Sequence, residues 1–450
     1  MSSLHNTSPN AVKSSKARFL TELIRDLSPK GLVILHGYES YPEVIPSDVD
    51  VLGSKSALRC LVDETLAGKY RTVQVLRHET SCYYWIFWLR GPTGDNEFLQ
   101  FDFATDYRRN GRVFYRAQEM LPKQIVYEGV IPVLPPHLEF GYYLVKKVCK
   151  GVLTDEHGSR LTSLYRRDPS GCTKELARFF SEADVRRIQS VAQAGAWESI
   201  QNDLLTLRKR LLLLAAIRHP WSVARYYLEE MLRWIGRIQR PTGLVVAIYG
   251  TDGSGKSTVI QQVSTNVHAA FRRIERFHHR PLLRSRASQG PVTDPHGKPL
   301  RGTALSMAKL GYWLVQYWIG WGAKVFPSKV RSTLVLFDRY YDDVKADPRR
   351  YRYGGPRWFA RLVGKLIPKP DLSIILDVPA EVAHARKPEL ALDEVRGLRN
   401  AYLTLAREIN AHVVDAGRSL PDVIADVERI ILQHLVERTR KRLEKGIQYG

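Results

Sequence analysis

Eight consecutive residues, Gly250-Thr251-Asp252-Gly253-Ser254-Gly255-Lys256-Ser257, have the types and spacing needed to hold phosphate. With Thr258 they fit Gly-x-x-x-x-Gly-Lys-Ser/Thr, between an apolar strand-like run and a helical one. Glycines let backbone N–H groups curl around phosphate oxygens, where a side chain would block close approach. Lys256 would bridge the β- and γ-phosphates of ATP, and Ser257 would hold Mg²⁺. Phe337-Asp338-Arg339-Tyr340 ends a later strand on the same sheet edge. There Asp338 can hold Mg²⁺-bound water or take an acceptor's proton, and Arg339 can grip an anion bidentately. Arg386 and Lys387 follow on a short helix, where cations can close over a transferring phosphoryl group; a solvated helix end is the plain alternative. Asp415-Ala416-Gly417-Arg418-Ser419 can form one wall of a base pocket.

A second group of carboxylates stands near the N-terminus. Ser47-Asp48-Val49-Asp50-Val51 sets two aspartates one residue apart, on one face of a strand. With Gly37 before it, this pattern is similar to the nucleotidyltransferase fold over about residues 17–150. The resemblance implies a third carboxylate, Asp102 in FLQFDFA, and two Mg²⁺ on a nucleoside triphosphate. Tyr38 follows Gly37 where that family carries a small residue, so a degenerate, binding-only domain stands beside an active one.

These residues need a frame. Residues 1–15 read as a flexible tail without the apolar core of a signal peptide. Residues 16–150 read as a mixed sheet with helices, and 151–240 as a helical extension and connector. Arg240-Pro241-Thr242-Gly243 marks a boundary before 241–436. That region alternates strands (244–250, 274–278, 333–337, 372–377, 411–415) with helices, which implies a parallel sheet covered on both faces. Residues 437–450 read as a basic tail.

The net charge is +22, and residues 251–350 carry +10 of it. Such a surface attracts phosphorylated small molecules, nucleic acid or an anionic membrane. Arg349, Arg350, Arg352 and Arg357, interleaved with Tyr351, Tyr353 and Trp358, offer phosphate recognition, a stacking face for a nucleic-acid strand, or only a solvated face. The run 310–326 holds three tryptophans and is short for a membrane span; a buried helix, an interfacial helix and a homodimer surface all suit it. Four scattered cysteines suggest neither disulfides nor a zinc site, so a cytoplasmic setting is expected.

Together the Gly-x-Asp-Gly-x-Gly-Lys-Ser-Thr loop, the Asp-Arg-Tyr at 338–340, PDLSIILDVPAEVAHAR and VVDAGRS resemble the thymidylate kinase family over about residues 243–435. The resemblance implies a five-stranded parallel core and an acceptor faced by Asp252. It also implies a catalytic arginine from the lid (Arg386), since position 253 is Gly. His279-Arg280-Pro281 stands where those kinases carry an Arg-Glu-Pro that shapes the acceptor site, so Arg280 joins Arg339, beside Asp338, and Arg352, of the arginine cluster, as an acceptor-binding candidate. The segment 280–332 is long and the stretch after Asp-Arg-Tyr is unlike the family, so an acceptor larger or more anionic than dTMP is expected. The chain also resembles two-domain bacterial proteins of surface-polysaccharide gene sets. The expected fold is α/β: a P-loop kinase sheet with helices on both faces, preceded by a nucleotidyltransferase-like mixed sheet and a helical connector. The expected activity is ATP- and Mg²⁺-dependent phosphoryl transfer to a nucleoside monophosphate or to another phosphorylated or sugar-containing acceptor. An ATP-switched regulatory protein, or a nucleic-acid-binding one, is the alternative.

Overall fold

The computed structural model describes residues 14–218, 220–281 and 296–446. Of the tail expected at 1–15, only Ser14 and Ser15 are described. Ser14 caps the helix Ser15–Leu27 by accepting from the Ala17 amide. The chain forms two compact units, one of residues 1–234 with 436–450 and one of residues 235–435.

The first unit is built on a mixed seven-stranded sheet in the order β3-β4-β5-β2-β1-β9-β8. Its strands are β1 (Leu32–Ile34), β2 (Val49–Gly53), β3 (Thr72–Glu79), β4 (Cys82–Arg90), β5 (Asn96–Ala104), β8 (Ile125–Tyr127) and β9 (Ile131–Val133). β6 (Asp106–Arg109) and β7 (Arg112–Arg116) form a separate pair. β2 and β5 run parallel with Asp50 opposite Asp102, so both side chains stand on one face.

Within the residues read as a connector, the helices of 151–218 contribute to a core, whereas the helix Pro220–Gln239 buries none of its residues. Leu161, Leu164, Tyr165, Leu176, Ile188, Leu207 and Leu211 are buried in one cluster with Val33, Leu52 and Phe114. Their helical spacing creates apolar stripes that need a partner, and the first unit supplies it. Of the basic tail expected at 437–450, residues 437–444 lie in the helix Leu420–Glu444; Leu443 is buried with Leu20 and Phe87, and Thr439 donates to the Val73 carbonyl at 2.8 Å.

The second unit holds a five-stranded parallel sheet in the order β11-β12-β10-β13-β14. Its strands are β10 (Leu244–Tyr249), β11 (Arg273–His278), β12 (Thr333–Asp338), β13 (Leu372–Asp377) and β14 (His412–Asp415). Every residue of β10 is buried, so both faces of the central strand are covered, as a continuous apolar run requires. One cover holds Leu310, Trp313 and Tyr317 from the helix Thr303–Gly320, with Tyr402 and Leu405 from the helix Leu392–Ile409.

The aromatic run is thereby divided by face. Trp313 and Tyr317 are buried, whereas Tyr312 and Trp318 are more than half exposed. Among the described residues no helix is long and apolar enough to cross a membrane.

Candidate functional site

The loop after β10 turns tightly into the helix Lys256–Asn266. Gly253 has φ +82°, and a Cβ there would lie 2.5 Å from the Ala383 carbonyl oxygen on the helix Ala380–Arg386. Any larger residue would push that lid helix off the loop. The same fact explains why no arginine can stand at 253. Lys256 is buried and donates to the Gly250 and Thr251 carbonyls at 2.9 and 2.7 Å, and to Ser254 Oγ at 3.3 Å. Burial, then Arg339, pulls its pKa down to about 7, against the pull of Asp252, Asp338 and Asp343.

Parallel pairing of β10 with β12 brings Asp338 beside this loop. Its Oδ2 accepts from Ser257 Oγ at 3.3 Å, and its buried Oδ1 has no hydrogen-bond partner. A hydroxyl beside a carboxylate with an oxygen to spare fits a hard divalent cation, and the lysine and helix N-terminus fit a polyphosphate. Residues Gly253, Ser254 and Thr258 line a cavity of about 270 Å³ with Arg386, Ala416 and Arg418. The lid arginine and the segment after β14 are thus brought to the loop; Arg386 Nη1 stands 3.5 Å from the Gly253 carbonyl oxygen.

Asp252 forms the centre of a charged network. Its two oxygens meet Arg339 Nη2 and Arg350 Nη1, each at 2.5 Å. Burial would raise its pKa, but Arg339, Arg350 and Lys256 hold it below the ordinary carboxylate range. Arg339 Nη1 also donates to Asp343 Oδ2 and Tyr402 Oη, both at 2.8 Å. Asp343 accepts two more bonds, from Tyr351 at 2.6 Å and Tyr402 at 2.8 Å.

Arg339 is only 2% exposed and sits at φ +68°, a left-handed conformation costly for a side chain of its size. Expected as an anion grip, it here bonds two carboxylates and a tyrosine through Nη1 and Nη2. Arg350 is the arginine that joins this network to an open cavity, and nothing in its spacing distinguishes it from its neighbours.

That cavity has a volume of about 700 Å³ and includes Arg280, Arg350 and Arg352, with Trp313 and Tyr351 on its walls. Arg280 donates to Gln316 Oε1 at 2.6 Å and lies over the Trp313 ring. The arginine cluster disperses: Arg349 pairs with Glu394, Arg350 with Asp252, Arg352 bonds the Pro299 carbonyl, and Arg357 is exposed. Trp313, Lys309 and Arg301 of this wall were not expected: Trp313 and Lys309 come from the helix Thr303–Gly320, whose sequence reads as mostly apolar, and Arg301 from the segment just before it.

In the first unit, the three aspartates expected to share Mg²⁺ are not gathered as a metal site. Among the described residues no group of three or more His, Cys, Asp and Glu side chains is arranged to hold a metal ion. Lys146 Nζ lies 2.8 Å from Asp50 Oδ1, and His36 Nε2 lies 3.1 Å from its Oδ2, so a lysine ammonium supplies the positive charge. Asp48 is half-buried two residues away. Asp102 accepts from Cys82 Sγ at 2.9 Å; burial and the nearby Asp50 push its pKa up to about 6.

The raised pKa of Asp102 has a consequence for stability. The folded chain favours protonated Asp102, so its contribution falls as pH rises from about 4 through about 6. Asp102→Asn should therefore stabilise the first unit by about 2–3 kcal/mol at pH 8, and little at pH 4. Chemical denaturation in EDTA buffers at the two pH values measures this; equal effects at both would refute it.

No family model matches the chain. It is 31% identical over 200 residues to the protein named "Probable thymidylate kinase" of Pyrobaculum aerophilum, covering 41% of this chain and 95% of that one. The chain belongs to the thymidylate kinase family. It is also 26% identical over 201 residues to "Probable thymidylate kinase 1" of Saccharolobus solfataricus, covering 42% of this chain and 98% of the relative. A third relative is "Thymidylate kinase" of Xanthomonas oryzae pv. oryzae, at 26% over 212 residues, 44% of this chain and 87% of that protein. Membership of the thymidylate kinase family supports an ATP-dependent nucleotide kinase, and the family's cofactors are ATP and Mg²⁺.

Proposed function

We propose that the second unit transfers the γ-phosphoryl group of ATP to a phosphorylated acceptor held in the 700 Å³ cavity. The observation that carries this reading is Arg350, which lines the cavity and also bonds Asp252 of the phosphate-binding loop. In this reading Lys256 and the loop amides hold the triphosphate, and Ser257 and Asp338 hold Mg²⁺, which neutralises phosphate charge when bound. Arg386 covers the transferring group from the lid. Arg280 and Arg352 bind the acceptor, and Arg339 positions Asp252 rather than touching substrate. The acceptor is a nucleoside monophosphate or a phosphorylated sugar-containing intermediate, with cytoplasmic surface-polysaccharide synthesis the setting.

The test is steady-state ADP formation with dTMP, other nucleoside monophosphates and sugar phosphates, each compared with water alone. Acceptor-dependent ADP formation that Lys256→Ala removes is the expected result. Equal ADP formation with and without every acceptor would favour an ATP-driven switch.

For the first unit, the Lys146–Asp50 pair favours a nucleotidyltransferase-like module that no longer transfers nucleotides. The Lys256→Ala chain, with its kinase silenced, should release no pyrophosphate from the four common ribonucleoside triphosphates with Mg²⁺. Release abolished by Asp50→Asn would overturn this.

A further inference from the structure

The cavity carries more positive charge than one phosphate can balance. Arg280, Lys298, Arg301, Lys309, Arg350 and Arg352 all line it, and among the described residues no carboxylate does. Among the described residues only Arg350 of these is paired with a carboxylate, Asp252. Among the described residues the others meet neutral oxygens or none. Lys309 Nζ donates to the Tyr351 carbonyl at 2.8 Å, Arg301 to the same carbonyl at 3.2 Å, Arg352 to Pro299 O at 3.0 Å and Arg280 to Gln316 Oε1 at 2.6 Å. The crowding has a cost: burial, followed by the fields of Arg301, Arg280 and Arg352, pushes the Lys309 pKa down to about 8. Like charges held together in a concave wall repel unless an anion joins them.

The cations differ in their partners. Arg350 bonds Asp252 of the phosphate-binding loop. Lys309 and Arg301 converge instead on the Tyr351 carbonyl. The same cavity is lined by Trp313 and Tyr351, with ring centroids 5.4 Å apart, and by the buried His279 ring, whose Nε2 has no hydrogen-bond partner. This is a surface for a flat or sugar-like body.

We infer that the acceptor carries two phosphate groups: one beside Arg350, where the phosphoryl group is received, and a second bound by Lys309, Arg301 and Arg352. A phosphate monoester carries about −1.5 to −2 at neutral pH, so two phosphates approach the charge of the unpaired cations, whereas a carboxylate as the second group leaves the wall strongly positive. Lys309 and Arg301 then determine specificity without touching ATP. The inference rests on the kinase reading for the direction of transfer, but the binding it predicts is measured separately.

The experiment uses the full chain with a non-hydrolysable ATP analogue and Mg²⁺, and calorimetric titration of matched probes. The pairs are thymidine 5′-monophosphate against thymidine 3′,5′-bisphosphate, and fructose 6-phosphate against fructose 1,6-bisphosphate. The expected result is at least tenfold tighter binding of the bisphosphate in at least one pair. Lys309→Met and Arg301→Gln should each reduce that preference to under threefold while changing monophosphate binding little; circular dichroism reports whether each variant is folded. Equal binding within both pairs, no binding of any probe, or equal losses for mono- and bisphosphate in the variants overturns the inference. Failure of the kinase reading shows elsewhere, as absence of Lys256-dependent ADP formation with every acceptor.

Discussion

Lys256→Ala should lower kcat/KM for acceptor phosphorylation by roughly a hundred- to a thousandfold or more while leaving the second unit folded. The lysine is buried, yet its three partners are two carbonyls and a hydroxyl of the loop, so it serves the loop rather than a packed core. A preorganised donor removed from a site of developing charge costs about that factor. The pKa drawn down to about 7 adds a signature. A triphosphate raises the affinity of this amine for its proton, so ATP binding takes up protons where the free lysine is part neutral. Affinity should weaken as pH rises from 7 to 9, and binding heats should vary with the ionisation enthalpy of the buffer. The alanine variant should lose both dependences. Unchanged turnover in the variant would end the assignment of this loop as the phosphoryl-transfer site.

Arg339→Ala should cost about 3–5 kcal/mol of stability in the second unit, more than any effect confined to acceptor affinity. Breaking a buried ion pair from one side leaves an uncompensated charge, and here two carboxylates, Asp252 and Asp343, lose their common partner. Arg339→Lys should recover little, because an ammonium cannot span Asp252, Asp343 and Tyr402 as a planar fork does. The left-handed backbone at 339 works in the opposite direction: glycine relieves the strain, so Arg339→Gly should be less destabilised than Arg339→Ala. Urea denaturation followed by tryptophan fluorescence measures the order. A stable Arg339→Ala chain with only a raised acceptor KM would restore the open, anion-gripping arginine.

The parts of the molecule legible in the sequence were those whose physics is local. The phosphate-binding loop is one continuous stretch, and β10, β12 and β13 are short apolar runs that only burial on both faces explains. β6 and β8 escaped because they are only three or four residues long and leave no residue buried. The network around Asp252 draws on positions 339, 343, 350, 351 and 402, and only the Arg339–Asp343 spacing of four residues hinted at it. Lys146 lies 96 residues from Asp50, and no spacing rule joins a helix lysine to a strand aspartate across that distance. The helices of 151–218 showed their apolar stripes plainly; the sequence named the stripes without naming what they cover.

Leu443 and Thr439 close the core of a unit whose other residues end at Trp234. The second unit is therefore an insertion within the first in chain order. During synthesis the first unit waits for some two hundred intervening residues before its last helical segment arrives, while the second can close as soon as its own strands have emerged. The two halves are consequently not separable by a single cut. Severing the chain after 234 strands the Leu20–Phe87 core without its final side chains, and an independent first module has to be made by rejoining 234 to 436, not by truncation.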